Sequence, residues 1–125
     1  MKASVIHEYG GPEVLRYEDY PDPVLNPGEV LVRVAAAGLN PVDILERSGQ
    51  TKEWRPIQFP GVIGWDLSGT LERLGTGVKG FSVGDRALAW AYHTYAEKTD
   101  HPDWEQSPSS ECRRGACRFC KGQRR

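Results

Sequence analysis

An uncharged amide and a carboxylate stand three residues apart where a strand-like pattern gives way to a helical one. Asn40 and Asp43 follow the run GEVLVRVAAAG and precede a short helical pattern that stops at Ser48 and Gly49. An amide can both donate and accept hydrogen bonds, and a first-turn carboxylate favours a helix N-terminus. Such junctions often carry functional residues. Two roles stay open for Asp43: ordering a site and holding Asn40, or stabilising the helix start alone.

A second group with chemical potential is a set of three thiols. Cys112, Cys117 and Cys120 form a C-x4-C-x2-C pattern within the last 14 residues. Three thiolates could bind zinc with a histidine or water as the fourth ligand, and the alternative is a solvated, reducible segment. The odd number and the terminal position exclude a disulfide framework for the rest of the chain.

The elements that must position these residues are mostly short strands. Gly- and Pro-rich turns separate five strand-like segments, which are KASVIHEYG, VLRYEDYP, EVLVRVAAAG, GVIGWDLSGTLERLG and VGDRALAWAYHTYAE. One helical segment spans 41–48. In the third segment, Val30, Val32 and Val34 fall on one face, with Leu31 and Arg33 on the other. The pattern predicts a mainly β fold, a small and strongly curved barrel or sandwich with one or two short helices.

Composition limits the class of partner. The 125 residues carry a net charge of −1, which argues against a nucleic-acid or membrane-surface protein. The chain has no apolar run of the roughly 18 to 20 residues that span a bilayer, and MKASVIHEYGG lacks the apolar block of a secretory signal. We therefore expect a cytoplasmic protein with small-molecule partners, and no nucleic-acid or membrane partner.

The composition changes after Glu97. Residues 98–125 contain no Val, Ile, Leu or Met, and their seven Lys and Arg outnumber four Asp and Glu. A segment with so little to bury cannot offset its ordering entropy. The sequence therefore predicts one domain over residues 1–97 and a disordered tail over residues 98–125.

Three stretches together resemble a known family. The stretches are GGPEVLRYEDYPDPVLNPGEVLVRVAAAGLNPVDILERSGQ, FPGVIGWDLSGTLERLGTGVKGFSVGDRALAW and HTYAE. They are similar to the N-terminal half of the medium-chain dehydrogenase/reductase superfamily. The resemblance implies a GroES-like, strongly bent β-barrel, the catalytic domain of an NAD(P)-dependent enzyme that a Rossmann domain normally follows. The stretch GTGVKG at residues 75–80 has the spacing G-x-G-x-x-G, but no helical pattern follows it, so no cradle for a pyrophosphate is expected in this chain.

Two positions indicate the branch of that superfamily. Zinc-dependent members place a cysteine where Asn40 stands and a Gly-His-Glu where this chain has Gly64, Trp65 and Asp66. Since an amide and an indole are not zinc ligands, no catalytic zinc is expected. The remaining pattern, with GLNPVD and RSG, resembles the zinc-free quinone oxidoreductase branch, also called zeta-crystallin-like.

The resemblance also implies roles for particular residues. Asn40 would lie in the substrate and nicotinamide cleft and orient a carbonyl, so Asn40 and Asp43 are the catalytic candidates. Trp65 and His93 are the substrate-binding candidates, and Asn40 and Thr94 those for the cofactor. The implied cofactor is NADPH, the implied substrate is a quinone or enone, and members of the family are often homodimers.

Two functions stay open at this stage. In the first, the open reading frame is truncated, residues 98–125 are out-of-frame sequence, and the chain is an inactive catalytic domain of a quinone or enone oxidoreductase. In the second, the chain is a non-enzymatic GroES-like binding module whose basic, Cys-bearing tail contacts a partner or binds metal through Cys112, Cys117 and Cys120.

Overall fold

The computed structural model describes residues 1–101 and 119–121, with the side chains of His101 and of 119–121 left aside. Nearly all regular structure in this part is strand. The strands are β1 (Lys2–Ile6), β2 (Arg16–Asp19), β3 (Val30–Ala37), β4 (Gly61–Val62), β5 (Asp66–Leu74), β6 (Arg86–Trp90), β7 (Lys98–His101) and β8 (Phe119–Lys121). One α-helix, α1 (Pro41–Arg47), follows β3, and a 3-10 turn covers Pro12–Val14.

The strands form two antiparallel sheets. The smaller has the order β2-β1-β4, and the larger has the order β7-β3-β5-β6-β8. Strand β3 is therefore internal, paired with β5 along most of its length and with β7 at its start. Strand β5 carries Asp66 opposite Trp90 of β6.

Each sheet has its own apolar cluster. The larger cluster consists of aliphatic side chains from the large sheet and the residue that follows β6, namely Val30, Val32, Leu67, Leu71, Ala87, Ala89 and Ala91. The smaller cluster lies on β1 and β4 and contains Ala3, Val5 and Val62. Alternate residues of β5 and β6 are buried, as expected for sheets with one face on a core.

The segment between β6 and β7 connects the two sheets through its backbone. The N–H of Ser4 in β1 donates to the Tyr95 carbonyl at 2.8 Å, and the N–H of Glu97 donates to the Lys2 carbonyl at 3.0 Å. On its other side, the N–H of Val34 in β3 donates to the Glu97 carbonyl at 2.9 Å. Residues 91–97 thus hold the edge of one sheet against the other.

The prediction of a mainly β fold with a short helix is confirmed, with two differences in detail. The described strands form two sheets that do not close into a barrel. Lys98–His101 and Phe119–Lys121 are strands, although the composition predicts disorder over residues 98–125. The open edges of β3 and β6 supply backbone partners for these segments, which local composition does not reveal. The rest of that prediction lies outside the described residues.

Within the described residues, no helix has the length and apolar character needed to cross a membrane.

Candidate active site

The start of helix α1 is held by a buried carboxylate. Asn40 is the N-cap, with φ −115° and ψ 151°, and Pro41 opens the helix, where its missing N–H costs nothing. The Asp43 Oδ2 accepts from the Asn40 backbone N–H at 2.6 Å and from the Tyr95 hydroxyl at 2.7 Å. Asp43 is only 2% exposed. Burial, and next its hydrogen bond to Asp43, raise the pKa of Tyr95 well above the ordinary tyrosine value, so its phenol stays protonated.

The side chain of Asn40 is oriented by a second carboxylate. Its Nδ2 donates to the Asp66 Oδ2 at 3.0 Å, and the Asp66 Oδ1 accepts from the Gly38 N–H at 2.6 Å. The amide oxygen faces the N–H of Asp43, as in a capping box. A Cβ on Gly38 would lie 2.2 Å from the Asp66 Oδ1, so only glycine allows this approach. The second Nδ2 hydrogen has no acceptor among the described residues.

The inner face of α1 is polar. Asp43, Glu46 and Arg47 are buried, whereas Ile44 and Leu45 are exposed. Arg47 donates from Nη1 to the Gly10 carbonyl at 2.8 Å. The helix is therefore anchored by charged and hydrogen-bonding groups, and its apolar side chains face outward.

Glu46 is the centre of a second cluster that contains aromatic rings. Its Oε2 accepts from the Trp65 Nε1 at 2.8 Å, and its Oε1 pairs with the Arg55 Nε. The guanidinium carbon of Arg55 lies 4.3 Å from the ring centroid of Trp65 and 3.8 Å from that of Tyr92. Trp65 and Tyr92 meet edge to face at 4.9 Å, and Trp90 lies 5.8 Å from Trp65. The cluster fixes both Trp65 and Arg55.

His93 and Thr94 are neighbours in the chain but have different surroundings. His93 is exposed and has φ 60°, a left-handed conformation that is uncommon for a residue with a Cβ. The protein atoms around its ring partly shield it from water, which lowers the pKa of His93 below the ordinary histidine value. The nearby Asp100 carboxylate opposes this lowering, and the Arg55 charge adds to it. Thr94 is 1% exposed, and its Oγ1 has no hydrogen-bond partner among the described residues. A Cβ on Gly64 would lie 2.3 Å from that oxygen.

A cavity of about 590 Å³ opens beside the second cluster. Arg55, Glu46 and His93 line it, together with apolar side chains that include Ile57 and Phe59. Asn40 is not among the lining residues, and a shallower hollow of about 500 Å³ lies beside Gly38, Asp66 and Trp90 instead. No lining residue is shared between the cavity and this hollow.

The structure brings the predicted residues together in two groups. Asn40 and Asp43 share one network with Asp66 and Tyr95. Trp65 belongs to the Arg55 cluster, and His93 faces the cavity that Arg55 lines. Trp65 and Asp66 are consecutive, so β5 begins where the two groups meet. Thr94 is buried beside Gly64. The catalytic and binding roles of these residues stay predictions.

Four residues of the site were not predicted from the sequence: Glu46, Arg55, Asp66 and Tyr95. A weak sequence signal existed for two of them. Asp66 is part of the Gly-Trp-Asp at the position of the zinc-binding motif, and Glu46 lies about one helical turn after Asp43. Arg55 lies in the loop between α1 and β4, which has no periodic pattern. No sequence signal pointed to its contact with Trp65 and Tyr92.

The residues at the positions of zinc ligands do not fit a metal. The Asn40 amide donates to a carboxylate, and the Trp65 indole donates to another. Among the side chains that the structure describes, which are those of residues 1–100, no three His, Cys, Asp or Glu are grouped to hold a metal ion. The three tail cysteines are outside the side chains that the structure describes.

The alcohol dehydrogenase GroES-like domain family matches residues 26–124. The chain belongs to this family. The match includes much of the segment 98–125, which the sequence predicts to lie outside the family, so the domain boundary at residue 97 stays a prediction.

Relatives of this GroES-like domain include quinone oxidoreductases. The quinone oxidoreductase of Lama guanicoe is 35% identical over 122 residues, which are 93% of this chain and 36% of that protein. A solved mycobacterial quinone oxidoreductase is 41% identical with a TM-score of 0.72, over 82% of this chain and 31% of its own. Escherichia coli quinone oxidoreductase complexed with NADPH is 28% identical with a TM-score of 0.72, over 80% of this chain and 30% of its own. The chain spans about a third of the length of these relatives.

These findings confirm the resemblance to the quinone oxidoreductases of the medium-chain dehydrogenase/reductase superfamily. They also confirm the GroES-like fold.

Proposed function

We propose that this chain is the substrate-side catalytic domain of an NAD(P)H-dependent quinone or enone oxidoreductase. The observation that carries the proposal is the fixed amide of Asn40. Asp43 and Asp66 hold its backbone and its Nδ2, and one N–H remains to bind a carbonyl oxygen without a metal. The relatives named quinone oxidoreductase support the same reaction class.

The cofactor is proposed to meet this chain only at its nicotinamide end. The G-x-G-x-x-G of this chain, GTGVKG over residues 75–80, lies in the connection between β5 and β6 and is not followed by a helix, so it does not form a pyrophosphate cradle of that kind. The donor left on Asn40 suits the carbonyl oxygen of a carboxamide or of a substrate. When bound, a reduced nicotinamide supplies the hydride. Asn40 would orient the carbonyl, and Asp43, Asp66 and Tyr95 would keep Asn40 in place.

The proposal can be tested in a chimera. Residues 1–101 of this chain would replace the corresponding residues of Escherichia coli quinone oxidoreductase, which is known in complex with NADPH. We expect NADPH-dependent reduction of a simple quinone. Asn40→Leu should lower kcat/KM by about 10²-fold, as for loss of one preorganised donor. Asn26→Leu, at an exposed turn asparagine, is the matched control and should leave the rate unchanged.

Two results would reject the proposal. One is a chimera that is folded and binds NADPH but does not reduce any of several quinones and enones. The other is an Asn40→Leu chimera with unchanged kcat/KM, which would remove the residue on which the argument depends.

The other expectations from the sequence are not part of this proposal. The alternative of a binding module with a metal-binding tail has no support in the described residues or in the comparisons, and it is not proposed. A truncated reading frame, a cytoplasmic location and a homodimer stay predictions.

A further inference from the structure

The Arg55 guanidinium is held from several directions although it belongs to a loop. The Glu46 side chain, which is 3% exposed, pairs with the Nε of Arg55. The ring centroids of Trp65 and Tyr92 lie within 4.3 Å of the guanidinium carbon of Arg55. A long cationic side chain normally loses much rotamer freedom when it binds a ligand. Here that loss has already occurred, so Arg55 is preorganised.

The same side chain is not sealed from solvent. It is 27% exposed and lines the cavity of about 590 Å³. Its Nε is engaged by Glu46, and no described residue accepts from its two Nη groups. Those groups form the donor fork that suits an oxygen ligand.

The composition of the cavity favours an uncharged, largely apolar ligand. Ile57, Phe59, Val62 and Ile63 contribute apolar surface, which is the usual background of a small-molecule site. The charge of Arg55 is balanced by Glu46. The carboxylates of Asp22 and Asp100 also line the cavity, and they balance the Lys98 and N-terminal ammonium groups. A phosphate or carboxylate would find no net positive field there.

A neutral carbonyl compound meets these conditions. Its oxygen accepts hydrogen bonds from a cationic donor, and its carbon skeleton suits the apolar lining. When such a compound is reduced, negative charge collects on that oxygen, where a fixed guanidinium stabilises it more strongly than the starting carbonyl.

We propose that Arg55 is a substrate-binding residue that receives the carbonyl oxygen of a conjugated carbonyl compound in the cavity it shares with His93. The choice of this substrate class rests on the proposed function. Arg55 supplies a donor separate from that of Asn40, which does not line this cavity. His93 stands beside it in a strained, left-handed conformation, and such conformations persist mainly where surrounding structure and function require them.

The test is a titration of the 125-residue chain with tetramethyl-1,4-benzoquinone. This quinone has no open ring position for addition of the cysteine thiols. The readout is the ¹H–¹⁵N signal of the Trp65 indole, which is next to Arg55 and is assigned by Trp65→Phe. No cofactor is needed, so this measurement is independent of the chimera assay, and either proposal can fail alone.

Three variants decide the outcome. Glu46→Gln keeps Arg55 but loosens its hold, so it should weaken binding moderately, and it is the reference for the double change. The double change Glu46→Gln with Arg55→Met avoids an unpaired buried carboxylate and should weaken binding at least tenfold, the expected effect of losing a charged hydrogen bond. Arg33→Met also breaks an Arg–Glu pair, but at the sheet surface, and should change nothing.

The proposal is overturned if the folded double variant binds the quinone as tightly as Glu46→Gln does. It is equally overturned if the parent chain shows no shift of the Trp65 signal up to the solubility limit of the quinone. Thermal unfolding of each variant establishes that it is folded.

Discussion

Replacing Tyr95 by phenylalanine removes one oxygen and tests the network around Asn40. That oxygen donates at 2.7 Å to Asp43, a carboxylate that is 2% exposed. A hydrogen bond to a charged group contributes about 1.5–3 kcal/mol to stability. The Oδ1 of Asp43 has no partner among the described residues, so after this change only the Asn40 backbone N–H would still donate to the buried carboxylate. We therefore expect a loss in the upper half of that range.

The assay is thermal and urea unfolding of Tyr95→Phe beside Tyr17→Phe. Tyr17 is 72% exposed, and its variant should differ from the parent by less than about 0.5 kcal/mol. For a domain of this size, each kcal/mol corresponds to about 4–8 °C in Tm. Tyr95→Phe should consequently unfold roughly 9 to 24 °C below the parent chain.

The pH dependence gives a second readout for the same variant. Because burial and Asp43 raise the pKa of Tyr95 in the folded state, the unfolded state loses the phenol proton first as the pH rises. The stabilisation is complete below about pH 10, the ordinary tyrosine value, and falls above it. The difference between parent and variant should be constant from pH 7 to 9 and then shrink. Equal stability of the two proteins at pH 7 would refute the reasoning.

Three further predictions concern other parts of the chain. Gly64→Ala should lower the free energy of unfolding by at least about 2 kcal/mol, because φ is 112° and the new Cβ would meet Thr94. Gly77→Ala is the control: its φ is 90°, but nothing lies within 4 Å of the new Cβ, so the loss measured by urea unfolding should be smaller. The N-terminal ammonium and Lys98 lower the pKa of Asp22 to about 2. The free energy of unfolding of the parent chain should therefore fall as the pH is lowered from about 4 to 2. In Asp22→Asn this fall should be smaller, which urea unfolding across the same pH range would measure. A variant with serine for all three cysteines should carry no tightly bound zinc, and one equivalent found by metal analysis would contradict the prediction.

The sequence predicts the helix and its caps well because their signals are local. Asn40, Pro41 and Asp43 mark the start of α1, and Gly49, with φ 80°, follows its end. The strand β3 is predicted in position, but the burial of both of its faces is not. Leu31 is 3% exposed and yet does not belong to the cluster that contains Val30 and Val32.

The candidate site is predicted only where its residues are near in sequence. Asn40 and Asp43 could be paired from their spacing. Arg55 meets Trp65 and Tyr92 because the loop before β4 and the segment after β6 fold onto the same end of the large sheet, and such long-range contacts leave no periodic trace. The polar inner face of α1 is also contrary to the usual pattern, in which charged side chains lie outside.

The connection of both sheets by residues 91–97 has a consequence for the order in which the chain folds. Strand β1 pairs early with β2, which follows it closely, but the contact between Ala3 and Ala96 joins residues from opposite ends of the described body. At a synthesis rate of about 5–20 residues per second, the edge of β1 would wait several seconds for this partner. Contacts of such separation slow folding. We expect the β1–β2 hairpin to gain full protection only after the segment 91–97 has docked, late in folding and within a single cooperative step.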